Sequence, residues 1–126
     1  MLMINNFQLT ENFNLQEFEC NHCNSVKLSS TLVTLLQALR DELRRPIVIT
    51  SGYRCTLHNR AVGGAERSMH LLGMAVDIAI GPTGLSMDRL ADLAESIGFT
   101  GIGTNPKKGF IHLDVRPSKD VVRFTY

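Results

Sequence analysis

Tryptophan is absent from this chain, tyrosine occurs twice and proline four times in 126 residues. No apolar run approaches the ~18 residues a membrane-spanning helix needs, so membrane insertion is excluded. Charge of neither sign predominates, with 13 Lys+Arg against 12 Asp+Glu and a formal net charge of +1. Without a basic excess there is no electrostatic reason to expect a nucleic-acid partner. Three cysteines are an odd number, which excludes a complete disulfide framework. The opening "MLMINNFQLTENF" lacks the basic n-region and long apolar h-region of a secretory leader. The chain therefore reads as one made and kept in the cytoplasm unless another factor releases it. Repeats and low-complexity tracts are missing as well.

What is present is a hydrophobic fraction of 44%, enough for a real core. The length suits one domain, residues 1–126, expected to act as a monomer. Asn14 and Glu17 bracket "LQEF" like a capping box. Ser29 or Ser30 starts a helix whose Leu32, Leu35, Leu36, Leu39 and Leu43 share a face. Pro46 stops it, and "IVIT" reads as a buried strand delivering "SGYRC" into a loop. "HNRAVGGAERS" reads mostly as loop. In "MAVDIAI" strict alternation puts Met74, Val76, Ile78 and Ile80 on one face and Ala75, Asp77 and Ala79 on the other. Ser86 caps a second helix with Leu90, Leu93, Ala94 and Ile97 inward and Gly98 at its end. "TGIGT" and "GFIHLDVR" read as strands joined by the turn "NPKKG", with His112 and Asp114 on one face. The expected class is α+β, a small, largely antiparallel sheet packed with two main helices.

The stretch "SMHLLGMAVDI" carries a histidine seven residues before an aspartate that sits inside a strand. A buried carboxylate is costly unless a cation compensates it. His70, Asp77 and His112 together form a donor set suited to Zn²⁺, with three protein ligands leaving a fourth position open, as in catalytic sites. Read from the residues alone, the same three can instead be satisfied core histidines and a capped aspartate.

"SGYR", "HNRAVGGAERSMHLLGMAVDI", "GIG" and "GFIHLDVR", taken in order, resemble the zinc D,D-carboxypeptidase-like peptidases. That family includes D-Ala-D-Ala carboxypeptidases and the L-alanyl-D-glutamate endopeptidases of phage endolysins. The pattern S-x-H-x-x-G-x-A-x-D is matched by Ser68, His70, Gly73, Ala75 and Asp77. The resemblance runs from "NFNLQEF" to "DVR". It implies the fold shared with the hedgehog signalling domain, and zinc held by His70, Asp77 and His112.

Arg54 reads either as a surface arginine or as an anchor for a substrate carboxylate or carbonyl, the role the resemblance implies for the arginine of "SGYR". Ser68 reads equally as a substrate contact or a backbone cap. Several members of the family place a glutamate general base shortly before the last histidine ligand. Here Gly109 stands three residues before His112, and "NPKKGF" contains no acid. Asp114 is the remaining candidate base, with the alternative that it orients a histidine or pairs with Arg116. His58 is next in line as a proton carrier. The cysteines pose a separate question. Cys20-x-x-Cys23 and Cys55-x-x-His58 have zinc-ligand spacing and can make a second, structural site. The alternatives are reduced thiols, or one disulfide with a thiol left over.

The function expected from the resemblance is hydrolysis of an amide bond next to a D-amino acid in peptidoglycan stem peptides. A phage or prophage endolysin released by a holin fits the missing leader and the missing wall-binding domain. Two competitors stand beside it. One is a non-catalytic zinc-binding module of the same fold, serving in wall binding or phage structure. The other is a zinc-ribbon-like adaptor built on the cysteines.

Overall fold

The computed structural model describes residues 4–126, so the reading of the N-terminus as leaderless falls partly outside the described residues. The chain begins with a 3₁₀ turn, Leu15–Phe18, closed by the expected capping box between Asn14 and Glu17. Helix α1 (Ser30–Leu43) follows, with Ser29 Oγ accepting the Leu32 amide as N-cap. Strand β1 (Ile49–Ser51) leads to the short helix α2 (Thr56–Ala61). A 3₁₀ turn, Met69–Leu72, precedes β2 (Ala75–Ala79). Then come α3 (Met87–Ile97), capped by Ser86, and strands β3 (Gly101–Asn105), β4 (Phe110–Asp114) and β5 (Val122–Thr125).

The five strands form one sheet in the order β1-β2-β4-β3-β5. All pairs are antiparallel except β3 with β5. The α+β class with a largely antiparallel sheet is therefore observed. Alternation gives the sheet two distinct faces. Val76, Ile78, Ile102, Ile111 and Leu113 belong to the apolar core with Leu32, Leu36 and Leu39 of α1 and Leu90 and Ala94 of α3. The opposite face carries Asp77, His112 and Asp114.

Three local expectations need correction. "IVIT" is not a buried strand: Val48 is 45% exposed, and only residues 49–51 pair, at the sheet edge and with a register irregularity. Part of the presumed loop after "SGYR" is helical, because Cys55 Sγ caps α2 by accepting the His58 amide. Strand β5 was not read from the sequence at all. "VRFT" lacks a buried alternating face, and its pairing to β3 is a non-local parallel contact at the edge.

Candidate metal centre

The chain reaches the site through two short devices. Ser68 Oγ accepts the His70 amide and starts the turn that carries His70. Gly73 ends that turn at φ +69°, and a Cβ there would collide with the backbone of Lys27. Glycine is the residue that adopts this angle without strain, so it lets the chain turn from His70 into β2. Asp77 in β2 lies directly opposite His112 in β4. On its other side His112 faces Gly103, and Asp114 is flanked by Ala75 and Gly101. A Cβ on Gly101 would collide with the Asp114 carboxylate. The small residues of "MAVDIAI" and "TGIGT" thus make room for three large polar side chains in a sheet interior.

His70 Nε2, His112 Nδ1 and Asp77 Oδ1 form a triangle with all three edges at 3.2 Å. All three residues are buried. The far nitrogen of each ring fixes its tautomer. His70 Nδ1 lies 2.7 Å from the Gly52 carbonyl, which can only accept, so Nδ1 carries the proton. His112 Nε2 lies 2.7 Å from Asp114 Oδ2, and the ionised carboxylate again makes it the protonated nitrogen. Two imidazole lone pairs and a carboxylate oxygen therefore converge on one point. Three acceptors at this distance repel one another unless a proton or a cation lies between them. Ligands at about 2.0–2.2 Å around a tetrahedral zinc stand about 3.3–3.5 Å apart. The triangle fits that ion and gives it the mixed nitrogen and oxygen donors it accepts.

Without a metal, the shifts of these groups reflect a proton in the place of the cation. Burial alone would raise the Asp77 carboxyl, but hydrogen bonds and positive charge from His112 and His70 keep it well below the usual carboxylate range. Burial likewise acts to raise Asp114, and is outweighed by Arg116 and His112, which hold it low. Burial pulls His112 down, while hydrogen bonds to Asp114 and Asp77 more than reverse this and raise it.

Asp114 is fully buried and its oxygens are already engaged. Besides His112 it accepts from Arg116 Nε at 2.9 Å, Arg116 Nη2 at 2.6 Å and the Arg116 amide at 3.1 Å. It sits behind the His112 ring, on the side away from the triangle. That geometry fits the orienting alternative, with Asp114 on the ring nitrogen that faces away from the three donors. Arg54 Nη2 lies 3.2 Å from Asp77 Oδ2, the carboxylate oxygen outside the triangle. Its other nitrogens donate to Ser51 Oγ and Asn59 Oδ1. Ser68 is used as a cap, though it also borders the cavity. His58 does not line that cavity.

The cavity over the triangle has a volume of about 570 Å³. Arg54, Arg67, Lys108 and Arg116 contribute positive charge to its walls, and Asp77 is the one carboxylate among its lining residues. Phe110, Phe124 and Tyr126 form an aromatic side, with Phe124 5.4 Å from the His112 ring and Tyr126 5.4 Å from Phe110. Sequence reasoning missed Asn59, Phe124 and Tyr126. Asn59 looked like a loop residue, and the two aromatics arrive on the unread strand.

The cysteines form a second cluster. Ligand atoms of Cys20, Cys23 and Cys55 all lie within 4.8 Å of one another. The fourth residue expected there, His58, does not join them; its amide donates to Cys55 Sγ and its ring stacks on His22.

A largely antiparallel sheet with a buried His–Asp–His triangle at the floor of a cationic cavity defines a site able to hold a metal ion. Comparison with known proteins agrees: residues 5–114 match the Peptidase M15 family, and the chain belongs to it. It is 36% identical over 81 residues to the peptidoglycan L,D-endopeptidase MepK of Escherichia coli K12, an alignment covering 60% of this chain and 43% of that protein. It is also 36% identical over 97 residues to the zinc D-Ala-D-Ala carboxypeptidase of Streptomyces albus G, covering 67% of this chain and 37% of that protein. The chain thus spans about two fifths of the length of these relatives.

Proposed function

We propose that this chain is a zinc peptidase that hydrolyses an amide bond next to a D-amino acid in peptidoglycan stem peptides, with residues 1–126 working as one domain. The observation that carries this reading is the triangle of 3.2 Å edges whose two histidines are locked in the ligand tautomer from behind. His70 Nε2, His112 Nδ1 and Asp77 Oδ1 are the ligands. A bound zinc supplies Lewis acidity there, polarising a carbonyl and making water a nucleophile at neutral pH.

The chain's own residues supply the rest. Gly52 and Asp114 keep both imidazoles oriented and basic. Arg54 steadies the outer oxygen of Asp77 and presents its remaining donors to the cavity, where it binds a substrate carboxylate or the oxygen of the scissile carbonyl. Arg67 and Lys108 add positive charge suited to stem peptides, which carry several carboxylates. The leaving amine needs a proton. Tyr126 lines the cavity and its phenol is the candidate donor, a weak acid whose pKa burial and the Asp77 charge raise further.

A second reading rests on the shortage of acids. Among the described residues Asp77 is the single side-chain carboxylate lining the cavity, and as a ligand it would not be available as a glutamate-like base. A zinc-holding module that binds peptidoglycan without cutting it has this appearance. One experiment separates the two. Purified protein is incubated with peptidoglycan or a stem peptide, with and without chelator, and new free amines are measured. Chelator-sensitive amine release establishes the peptidase. Binding to the sacculus without amine release leaves the module.

A further inference from the structure

The three sulfurs lie apart from the cavity and have no part in the proposed reaction. Cys20 is completely buried, Cys55 half-buried and Cys23 exposed. No disulfide joins any of them. Three thiols gathered within 4.8 Å are a soft donor set of the kind that holds zinc in closed, structural sites. Backbone amides donate to two of the three sulfurs. The Cys55 amide donates to Cys20 Sγ at 3.4 Å, and the neighbouring His22 and Cys23 amides help to lower the pKa of that thiol. The His58 amide donates to Cys55 Sγ. Amide donors of this kind favour the charged form that a metal requires.

A fourth donor is close by. His22 Nδ1 lies 3.6 Å from Cys55 Sγ. Two ligands on one tetrahedral zinc, a sulfur at about 2.3 Å and a nitrogen at about 2.0 Å, are separated by about 3.5 Å. Of the two nearby histidines, exposed His22 is the one whose ring nitrogen lies beside a sulfur, and the His58 ring stacks on it.

We propose that Cys20, Cys23 and Cys55, with His22 as fourth donor, hold a structural zinc ion distinct from the His70–Asp77–His112 centre. Its effect follows from where the ligands sit. Cys20, His22 and Cys23 belong to the segment after the first 3₁₀ turn, and Cys55 immediately follows Arg54. The same two segments already meet where the Tyr53 amide donates to the Phe18 carbonyl at 2.8 Å, and a Cβ on Gly52 would run into the Phe18 backbone. A metal at the cysteines clamps the N-terminal segment to the loop that presents Arg54 and the Gly52 carbonyl behind His70. It would position the cavity wall without touching substrate.

The test uses the whole chain, purified under reducing conditions and loaded with Zn²⁺ or, separately, with Co²⁺. Two metal equivalents are expected per chain, together with the near-ultraviolet thiolate-to-cobalt charge-transfer band that an all-nitrogen-and-oxygen site cannot give. The variant with both His70→Ala and His112→Ala should keep one equivalent and the full band. Cys23→Ser, at an exposed position, should lose both the second equivalent and most of the band while the His–Asp–His centre keeps its metal. Stripping only the cysteine site should lower the melting temperature by roughly 10 °C, the shift expected when a ligand at about a hundred times its Kd is withdrawn. His22→Ala should release this metal at lower chelator concentration than the parent, and His58→Ala should not; the reverse pattern overturns the assignment of His22. If the unmodified chain loads one equivalent and shows no charge-transfer band, or if its thiols titrate equally fast with and without metal, there is no second site. A disulfide among these cysteines in the protein loaded with metal would overturn the proposal as well.

Discussion

Replacing Asp114 with asparagine would disturb a carboxylate that the structure uses on two sides at once. Oδ2 accepts from His112 Nε2 and Arg116 Nη2, and Oδ1 accepts from Arg116 Nε and the Arg116 amide. An amide can keep one of these faces. With its oxygen toward His112, the NH₂ group confronts two Arg116 donors. With its NH₂ toward His112, Nε2 must accept, the ring proton moves to Nδ1, and the lone pair needed for zinc disappears. Both outcomes weaken the centre, so zinc affinity should fall by roughly 10–100-fold, the usual effect of removing a partner of a ligating histidine. Breaking a buried pair typically costs about 3–5 kcal/mol. The Arg116 side chain is 27% exposed and can recover water, which reduces the expected loss of stability to about 2–3 kcal/mol. Zinc competition with a chromophoric chelator gives the affinity, and urea unfolding gives the stability. Excess zinc should restore most of the hydrolytic rate. A variant with unchanged zinc affinity whose turnover falls by roughly 10²–10⁴-fold, and is not rescued by zinc, would instead make Asp114 the general base and refute the reasoning.

His70→Ala and His112→Ala should each remove the zinc of this centre; metal analysis showing full occupancy in both would sink the ligand assignment. Arg54→Ala should leave zinc in place and lower kcat/KM by a factor corresponding to roughly 2–4 kcal/mol; a change within about twofold would reduce Arg54 to a partner of Asp77. Gly101→Ala should mimic a milder Asp114 defect, because the added methyl displaces that carboxylate; zinc affinity equal to the parent would contradict the packing described. The pH dependence has a definite sign. In the metal-free protein the raised pKa of His112 stabilises the fold fully below its ordinary value of 6.5 and loses that contribution as pH rises through the folded value. The depressed carboxyls of Asp77 and Asp114 contribute above their ordinary value of 3.8 and fade as pH falls below it. Melting with chelator should therefore peak between these limits. Zinc must displace the same His112 proton, so melting with zinc should peak at higher pH; coincident profiles would rule this linkage out.

Much of the site was legible in the residue order. A carboxylate on the small-residue face of "MAVDIAI" is too costly to bury without a cation, and that directs attention to Asp77 before any fold is known. The helix caps at Ser29 and Ser86, the core leucines, and the turn at "NPKKG" are local features whose physics acts within a few residues. Sequence reasoning also grouped His70, Asp77 and His112, from their donor types and the family resemblance, and the structure brings the three together. It could not choose between the two roles of Asp114. Both need the same strand face, and the difference lies in which nitrogen of His112 it touches, set by the ring's rotation between Asp77 and Gly103. Nor could it find the partner of Arg54, the aromatic wall of Phe124 and Tyr126, or His22 beside Cys55. These are meetings of residues 23, 12, 16 and 33 positions apart, or the product of a parallel edge pairing, and no local pattern encodes them. The sequence by itself determined which groups could bind a metal and which positions had to stay small. The tertiary structure decided which lone pairs face one another, because only the closed sheet brings Gly52 and Asp114 behind the two imidazoles.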